Sequence, residues 1–240
     1  MSHLVERHQR LIIQGLILAN YFFIVFVVGW NHYVEGDSWR RIVRMFDAER
    51  TPIAWFSSMQ LLFVAFTAFA THFVTKLNDH RRGETSPRRW IWPLLSVGFV
   101  VLSLDEYFMF HEQLRERIMK PNELLTQVPG FNPGDIGLFI PLAVGIALSH
   151  VIVQALKPNT HSVRLFIAAL LIITPLVFLD AFHVDWIWGN LNRRYIQIVT
   201  EEIGENLAEL LFLLSFLLIF FDRLRDLMEA GDHAAKRGAE

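Results

Sequence analysis

Residues 136–156, IGLFIPLAVGIALSHVIVQAL, form a run of 21 residues without Asp, Glu, Lys or Arg. A helix of about 20 mostly apolar residues spans the roughly 30 Å hydrocarbon core of a bilayer. The chain of 240 residues is 53% hydrophobic and only 19% charged, whereas soluble domains carry about 25% charged residues. The sequence therefore predicts an all-α integral membrane protein.

Five further stretches of similar length and composition accompany this one. Short connections rich in Gly, Pro, Asn and Asp separate most of them, so neighbouring helices should pack antiparallel. Residues 38–46 place apolar and arginine side chains on opposite helical faces, which is typical of an interfacial helix. We therefore predict a single polytopic transmembrane domain over residues 1–240, with six transmembrane helices at about 11–30, 53–74, 91–112, 136–156, 165–188 and 199–221 and a tail at 222–240.

The distribution of Lys and Arg predicts the orientation of the bundle. With the N-terminus inside, the inner segments carry 13 of these residues and the outer loops carry 9. Basic residues are enriched on the cytoplasmic side of membrane proteins. We therefore expect both termini, and the tail at 222–240, to be cytoplasmic, and the protein to lie in the lipid bilayer of a cell inner or plasma membrane.

Charge and cysteine content exclude several classes of function. A net charge of −2 leaves no basic concentration that could neutralise nucleic-acid phosphates, so we expect no nucleic-acid partner. The chain has no cysteine, which excludes disulfides, thiolate metal sites and thiol nucleophiles. Any metal site must therefore use His, Asp or Glu.

Acidic residues inside the predicted spans are the strongest functional signal, because ionisable side chains in a membrane are costly and normally mark a site. By helical rise, Asp105, Asp180 and Glu205 lie on three different spans at one depth, about 8 to 9 Å below the outer surface. The sixth span also presents three Glu residues at i, i+3 and i+7, which form one stripe. The predicted ligands of a divalent metal, Fe, Mn or Zn, are Asp105, Asp180, His183, Glu202, Glu205 and Glu209.

Other polar residues near this depth are expected at the rim of the site or behind its ligands. On a continuous helix, Glu112 lies about 10 Å along the axis from Asp105, too far to share one ion with it. A five-residue spacing likewise points Glu106 and His111 apart. The residues assigned to this group are Glu106, His111, Glu112, Glu201 and Gln60.

The histidines allow a second interpretation, because spans two to five carry one each, alternately in the inner and outer halves. This layout resembles that of six-helix transmembrane cytochromes with two bis-histidine haems, although no sequence motif accompanies it. Acidic neighbours of two of these histidines suit a cationic metal better than an anionic porphyrin. The haem ligands implied by the resemblance are His72, His150, His111 and His183.

The leading functional hypothesis is a metal site in the outer half of the bundle. If the protein is an enzyme, the metal would act on a lipid-like or other hydrophobic small molecule. Alternatives are a haem electron-transfer protein, a proton or cation transporter, and an accessory subunit that contacts membrane-protein partners or further copies of itself. Beyond Glu209 the sixth span contains only Ser215 as a polar residue, which argues against a transport path. The acids could also form a purely structural network with arginines.

The predicted orientation can be tested with reporter fusions. A reporter that is active only in the cytoplasm should be active when it follows Lys236 and inactive when it is inserted in the loop at residues 129–134. The opposite pattern of activities would reverse the orientation and place the predicted acid site on the cytoplasmic side.

Overall fold

The computed structural model describes residues 2–35, 51–119, 121–122, 136–181 and 191–237. Every regular element within these ranges is a helix, which confirms the predicted all-helical class for the described residues. The elements are α1 (Ser2–Glu35), α2 (Pro52–Arg82), α3 (Ile91–Phe108), α4 (Phe110–Leu114) with a π-helical turn (Arg115–Met119), α5 (Ile136–Leu156), α6 (Thr160–Ala181) and α7 (Leu191–Arg237).

Five of these helices, α1, α2, α3, α5 and α6, are long and apolar enough to cross a membrane. Large hydrophobic side chains such as Phe66 and Leu171 are exposed on their outer faces, where acyl chains would cover them. The chain is therefore a helical membrane protein. The predicted interfacial helix at 38–46 lies outside the described residues, as do residues 182–188 of the predicted fifth span.

Local sequence signals explain where α2 begins and ends. The Thr51 hydroxyl accepts a hydrogen bond from the Ala54 N–H at 3.1 Å, and Pro52 occupies the first helical position. At the other end Gly83 adopts a left-handed conformation with φ 66°, and its N–H donates to the Asp79 carbonyl. The predicted second span thus lies within a helix capped at both ends.

Hydrogen bonds between helices establish their directions. α2 runs parallel to α7, whereas α1 and α6 run antiparallel to α7, and α3 runs antiparallel to α2. Successive helices of a chain that crosses a membrane repeatedly alternate in direction in this way. The bonds are Gln60–Asn206 and Asn78–Arg223 for α2 and α7, Asn20–Asn206 and Arg225–Gln9 for α1 and α7, Ser162–Ser215 and Asn159–Asp222 for α6 and α7, and Ser58–Ser103 and His72–Arg89 for α2 and α3.

Two reciprocal serine pairs bring the helix backbones close together. The Ser58 hydroxyl donates to the Ser103 carbonyl at 2.9 Å, and the Ser103 hydroxyl donates to the Ser58 carbonyl at 2.8 Å. Ser162 and Ser215 exchange the same kind of bonds between α6 and α7. Small hydroxyl side chains allow close approach and hydrogen bonding between membrane helices, where water cannot supply partners.

An apolar core fills the bundle between these pairs. Phe216 of α7 is fully buried and packs edge-on against Trp92 and Phe99 of α3, with ring centroids 5.7 and 5.8 Å apart. Ile152 of α5 and Phe166 of α6 extend the same cluster. The core thus holds α7 among the other helices.

Charged and amide side chains link the helices at one end of the bundle, which we name the Asp79 end. The end where α2 begins is named the Thr51 end. At the Asp79 end, polar bonds connect α2, the α2–α3 connection, the α5–α6 connection and α7. They include Ser86 Oγ to Asp79 at 2.6 Å, Arg89 to Asp79 at 3.1 Å, Arg81 to the Leu227 carbonyl at 2.8 Å and Asn159 to Asp222 at 2.7 Å.

Three buried amides join α1, α2 and α7 nearer the Thr51 end. Asn206 Oδ1 accepts from Gln60 Nε2 at 2.7 Å and from Asn20 Nδ2 at 3.0 Å. Asn20 Nδ2 also donates to Gln60 Oε1 at 3.1 Å. We name these residues the amide triad, which satisfies polar groups that a dry interior would otherwise leave unpaired.

The amide triad gives a prediction about stability. Asn206→Leu should lower the free energy of unfolding by about 1 to 3 kcal/mol, because two buried amides lose their shared acceptor. The double variant Asn206→Leu/Gln60→Leu should lower the free energy of unfolding by less than the sum of the losses in the two single variants. Unfolding in mixed micelles measures both effects, with the exposed Asn122→Leu as control. Strictly additive losses would contradict the cooperative triad.

Candidate functional site

Glu209 is the most unusual ionisable side chain of the described residues. It lies on α7 one turn beyond Asn206 and is only 7% exposed. The Ser57 hydroxyl of α2 donates a hydrogen bond to Glu209 Oε1, whereas Oε2 has no hydrogen-bond partner among the residues that the structure describes. A carboxylate in such a place needs a proton or another cation to be tolerated.

Two more carboxylates interact electrostatically with Glu209. Glu106 of α3 and Glu202 of α7 both repel negative charge at Glu209. The Ser58–Ser103 pair places Glu106 at the level of the first turn of α2, close to the level of Ser57. Glu106, Glu202 and Glu209 thus lie toward the Thr51 end and interact electrostatically, and we name these three residues the acid site.

The third predicted span differs from expectation because its helix ends at Phe108. Met109 adopts a left-handed conformation with φ 54°, and its N–H donates to the Asp105 carbonyl at 2.6 Å. The chain then turns back, so that the His111 N–H donates to Asp105 Oδ1 at 3.0 Å. His111 Nδ1 lies 2.8 Å from Asp105 Oδ2.

This turn changes the roles that the sequence suggested for two neighbouring acids. The continuous helix assumed for residues 91–112 made Asp105 the third-span ligand and directed Glu106 elsewhere. In the structure both Asp105 carboxylate oxygens bond to His111, and Glu106 is the α3 acid that acts on Glu209. No sequence signal marks the break, because methionine is not a residue that favours left-handed backbone.

The structure also places several residues predicted around the site. Glu201 and Glu205 are partly buried on α7, and Glu112 lies in α4. Gln60, predicted as a rim residue, belongs to the amide triad. Two contacts were not predicted from the sequence: that of Ser57 with Glu209 and that of Asn206 with Gln60. The available signal was the i, i+3 spacing of Ser57 and Gln60 on α2, which matches the spacing of Asn206 and Glu209 on the facing α7.

Asp180 lies in the last turn of α6, near the Thr51 end. α6 and α7 approach closely here, because a Cβ atom on Gly204 would lie 2.6 Å from Leu176 Cδ1. Since the two helices are antiparallel, Asp180 lies at the level of about residue 200 of α7. The side-chain prediction for Asp180 and the prediction for His183 lie outside the described residues.

The described residues do not support a complete metal site. Within them, no group of three or more His, Asp or Glu side chains has the spacing of metal ligands. The predicted set included His183, which is not among them. Metal binding is therefore still a prediction.

The histidines of the haem interpretation that the structure describes have other partners. His72 Nδ1 lies 3.4 Å from the Arg89 carbonyl, and His150 Nε2 lies 2.5 Å from Gln154 Nε2. His111 is bonded to Asp105. These contacts do not test haem binding, and the fourth predicted ligand, His183, lies outside the described ranges.

A cleft opens at the Thr51 end of the bundle. It encloses about 380 Å³ and lies between the start of α2 and the end of α3. Its aromatic walls are Trp55 and Tyr107, and Tyr107 directly follows Glu106. The remaining lining residues are Thr51, Pro52 and Ala54.

The fold and the acid site together define a helical membrane protein with a buried carboxylate near one end of its bundle. The chain belongs to the family described as "Domain of unknown function (DUF8692)", which matches residues 12–220. No curated protein and no solved structure matches the chain. The function of the protein must therefore be inferred from the geometry of the site.

The turn at Met109 gives a prediction about the Asp105–His111 contact. Met109→Val should lower the free energy of unfolding by about 1 to 2 kcal/mol, because a β-branched residue is poorly accommodated in left-handed backbone. Met109→Gly should be neutral or stabilising, and Met109→Leu should change little. Thermal unfolding in detergent measures all three. A valine variant as stable as the wild type would contradict this backbone conformation.

Proposed function

We propose that the protein is a six-span integral membrane protein with both termini in the cytoplasm. The sixth span would be formed by α7 around residues 199–221. Support comes from the direction of α7, which runs parallel to α2 and antiparallel to α1 and α6, as the last of six alternating spans would. The inner segments predicted from Lys and Arg content meet at the Asp79 end, which would face the cytoplasm.

We propose that the acid site binds a divalent cation. The observation that carries this proposal is buried Glu209, with one carboxylate oxygen unpartnered within the described residues and two other carboxylates acting on it. A buried carboxylate that two partly exposed carboxylates repel is stable only if positive charge accompanies it. A divalent cation would offset more than one of these charges at once.

The donor chemistry indicates which cations fit. Carboxylate oxygens suit Mn²⁺ and Fe²⁺, and an added imidazole extends the choice to Zn²⁺. The sequence offers Asp180 and His183 as further ligands, and Asp180 ends α6 at the level of the first acids of α7. Ser57 would hold Glu209 Oε1 and leave Oε2 for the cation. Binding would release any proton that Glu209 carries.

A metal-dependent enzyme is the second candidate function, and the cleft at Trp55 and Tyr107 favours it. The cleft lies at the Thr51 end, where Tyr107 directly follows Glu106 in the sequence, and aromatic walls suit an amphipathic or lipid-like molecule. Addition of such a molecule should quench or shift tryptophan fluorescence in wild type and less so in Trp55→Phe. An unchanged spectrum with lipids of several headgroups would remove the support for this candidate.

Metal analysis of detergent-purified protein tests the cation proposal. Wild type, dialysed against Mn²⁺, Fe²⁺ or Zn²⁺, should retain a stoichiometric amount of one of them. Glu209→Gln and Glu106→Gln should each weaken binding at least about tenfold, because each removes a charge that the cation neutralises. Glu202 lies seven residues and about 10 Å along α7 from Glu209, too far to share one ion with it, so Glu202→Gln should weaken binding less. Asp180→Asn and His183→Ala test the two further ligands in the same way.

Two variants serve as controls for this measurement. Glu84→Gln removes an exposed acid at the Asp79 end, and His150→Ala removes an exposed histidine on α5. Both should bind metal as the wild type does. A wild type without bound metal, or a Glu209→Gln variant with full occupancy, would overturn the proposal.

A further inference from the structure

Polar residues continue along the buried face of α2 far beyond the acid site. Ser57, Gln60, Thr67, Thr71, Thr75 and Asn78 recur at intervals of three, four or seven residues, which places them on one stripe of the helix. All six are buried. From the first to the last the stripe extends about 31 Å, the thickness of the hydrocarbon core. We name it the polar seam.

The two ends of the seam hold buried polar atoms without hydrogen-bond partners in the described part of the chain. At one end this atom is Glu209 Oε2, next to Ser57. At the other end these atoms are Thr75 Oγ1 and Asn78 Oδ1, on residues that are 3% and 6% exposed. Buried polar atoms in proteins normally have partners, and ordered water supplies them where the protein does not.

The middle of the seam can also accept hydrogen bonds from water. The Thr67 hydroxyl donates to the Phe63 carbonyl at 2.8 Å, and the Thr71 hydroxyl donates to the Thr67 carbonyl at 2.7 Å. A hydroxyl that has used its single donor still has lone pairs that accept. Gln60 of the amide triad lies between these threonines and Ser57. Acceptor atoms therefore recur from Thr67 to Asn78 and again at Gln60 and Ser57, with the fully buried Val64 of the apolar core between Gln60 and Thr67.

The sequence argument against a path considered only α7, where Ser215 is the one polar residue between Glu209 and Phe221. Ser215 pairs with Ser162 of α6, so it does not contribute to the seam. The polar side chains that follow Glu209 toward the Asp79 end are instead on α2. A continuous polar path needs only one polar wall if water fills the space beside it.

We propose that the polar seam is a hydrated route through which water reaches Glu209 from the Asp79 end. The route gives the buried carboxyl a way to exchange protons with that side of the membrane. This inference deepens the proposed function, since a proton displaced from Glu209 by a cation would leave along the seam. The hydration itself depends only on the unpartnered atoms and the acceptors of α2.

Cysteine accessibility tests the seam directly, because the chain contains no cysteine and each substitution introduces the only thiol. A small water-soluble methanethiosulfonate reagent modifies the thiolate, which forms only where water is present. Thr67→Cys, Thr71→Cys and Thr75→Cys are nearly isosteric replacements. In proteoliposomes of the full chain, all three should react at least tenfold faster than controls outside the seam.

Two controls match these positions in depth. Ser215 lies eight residues before Arg223, the partner of Asn78, and is therefore level with about residue 70 of the parallel α2. Ser215→Cys thus places a thiol at the depth of Thr71 but toward α6. Phe66→Cys places one on the lipid-facing side of α2, where the phenylalanine is 67% exposed. Both should react slowly.

The order of reactivity tests the direction of entry. Reagent on the side of the Asp79 end should modify Thr75→Cys faster than Thr67→Cys, and the reverse order would overturn entry from that end. Seam thiols that react as slowly as Ser215→Cys would overturn the hydrated route. The labelling does not require bound metal. Fast labelling of a protein that fails to bind any of the metals would overturn only the proposed cation site, and metal binding with slow labelling would overturn only the seam.

Discussion

A carboxylate within a membrane bundle must be neutralised, and the structure around Glu209 is best understood from this requirement. Ser57 satisfies one of its oxygens, and no described residue satisfies the other. Glu106 and Glu202 increase the need for positive charge. In a medium without water the cost of leaving such a group charged and unpaired exceeds that of any hydrogen bond in the bundle. Positive charge, from a proton, a metal ion or a basic side chain, must therefore accompany Glu209.

The helix packing keeps this acid in place. α7 contacts α1, α2 and α6, and three polar layers on α7 fix these contacts. Glu209 bonds to α2, Asn206 to α1 and α2, and Ser215 to α6. Each layer uses short polar side chains that pair with each other or with backbone carbonyls. The apolar core around Phe216 fills the space among α3, α5, α6 and α7. Glu209 is the member of these layers whose hydrogen bonding is incomplete among the described residues.

The fold class could be predicted from the sequence because apolar length is a direct consequence of membrane thickness. Residues 136–156 were predicted as a span, and α5 has those bounds. The Asp105–His111 hydrogen bonds could not be predicted, because they depend on a left-handed turn at Met109 that no residue preference indicates. The polar stripe of α2 was visible in the spacing of Ser57, Gln60 and the threonines. It was not predicted as a path, because only the polar residues of the sixth span were compared with the requirement for transport.

Infrared spectroscopy of the Glu209 carboxyl group tests the central claim most directly, because a protonated carboxylic acid has a carbonyl stretch that a carboxylate lacks. Metal-free wild type should show such a band, Glu209→Gln should lack it, and saturating Mn²⁺ or Zn²⁺ should remove it from the wild type. A metal-free wild type whose spectrum matches that of Glu209→Gln in this region would contradict the claim that Glu209 needs a cation. A band that persists with saturating metal would contradict metal binding at Glu209.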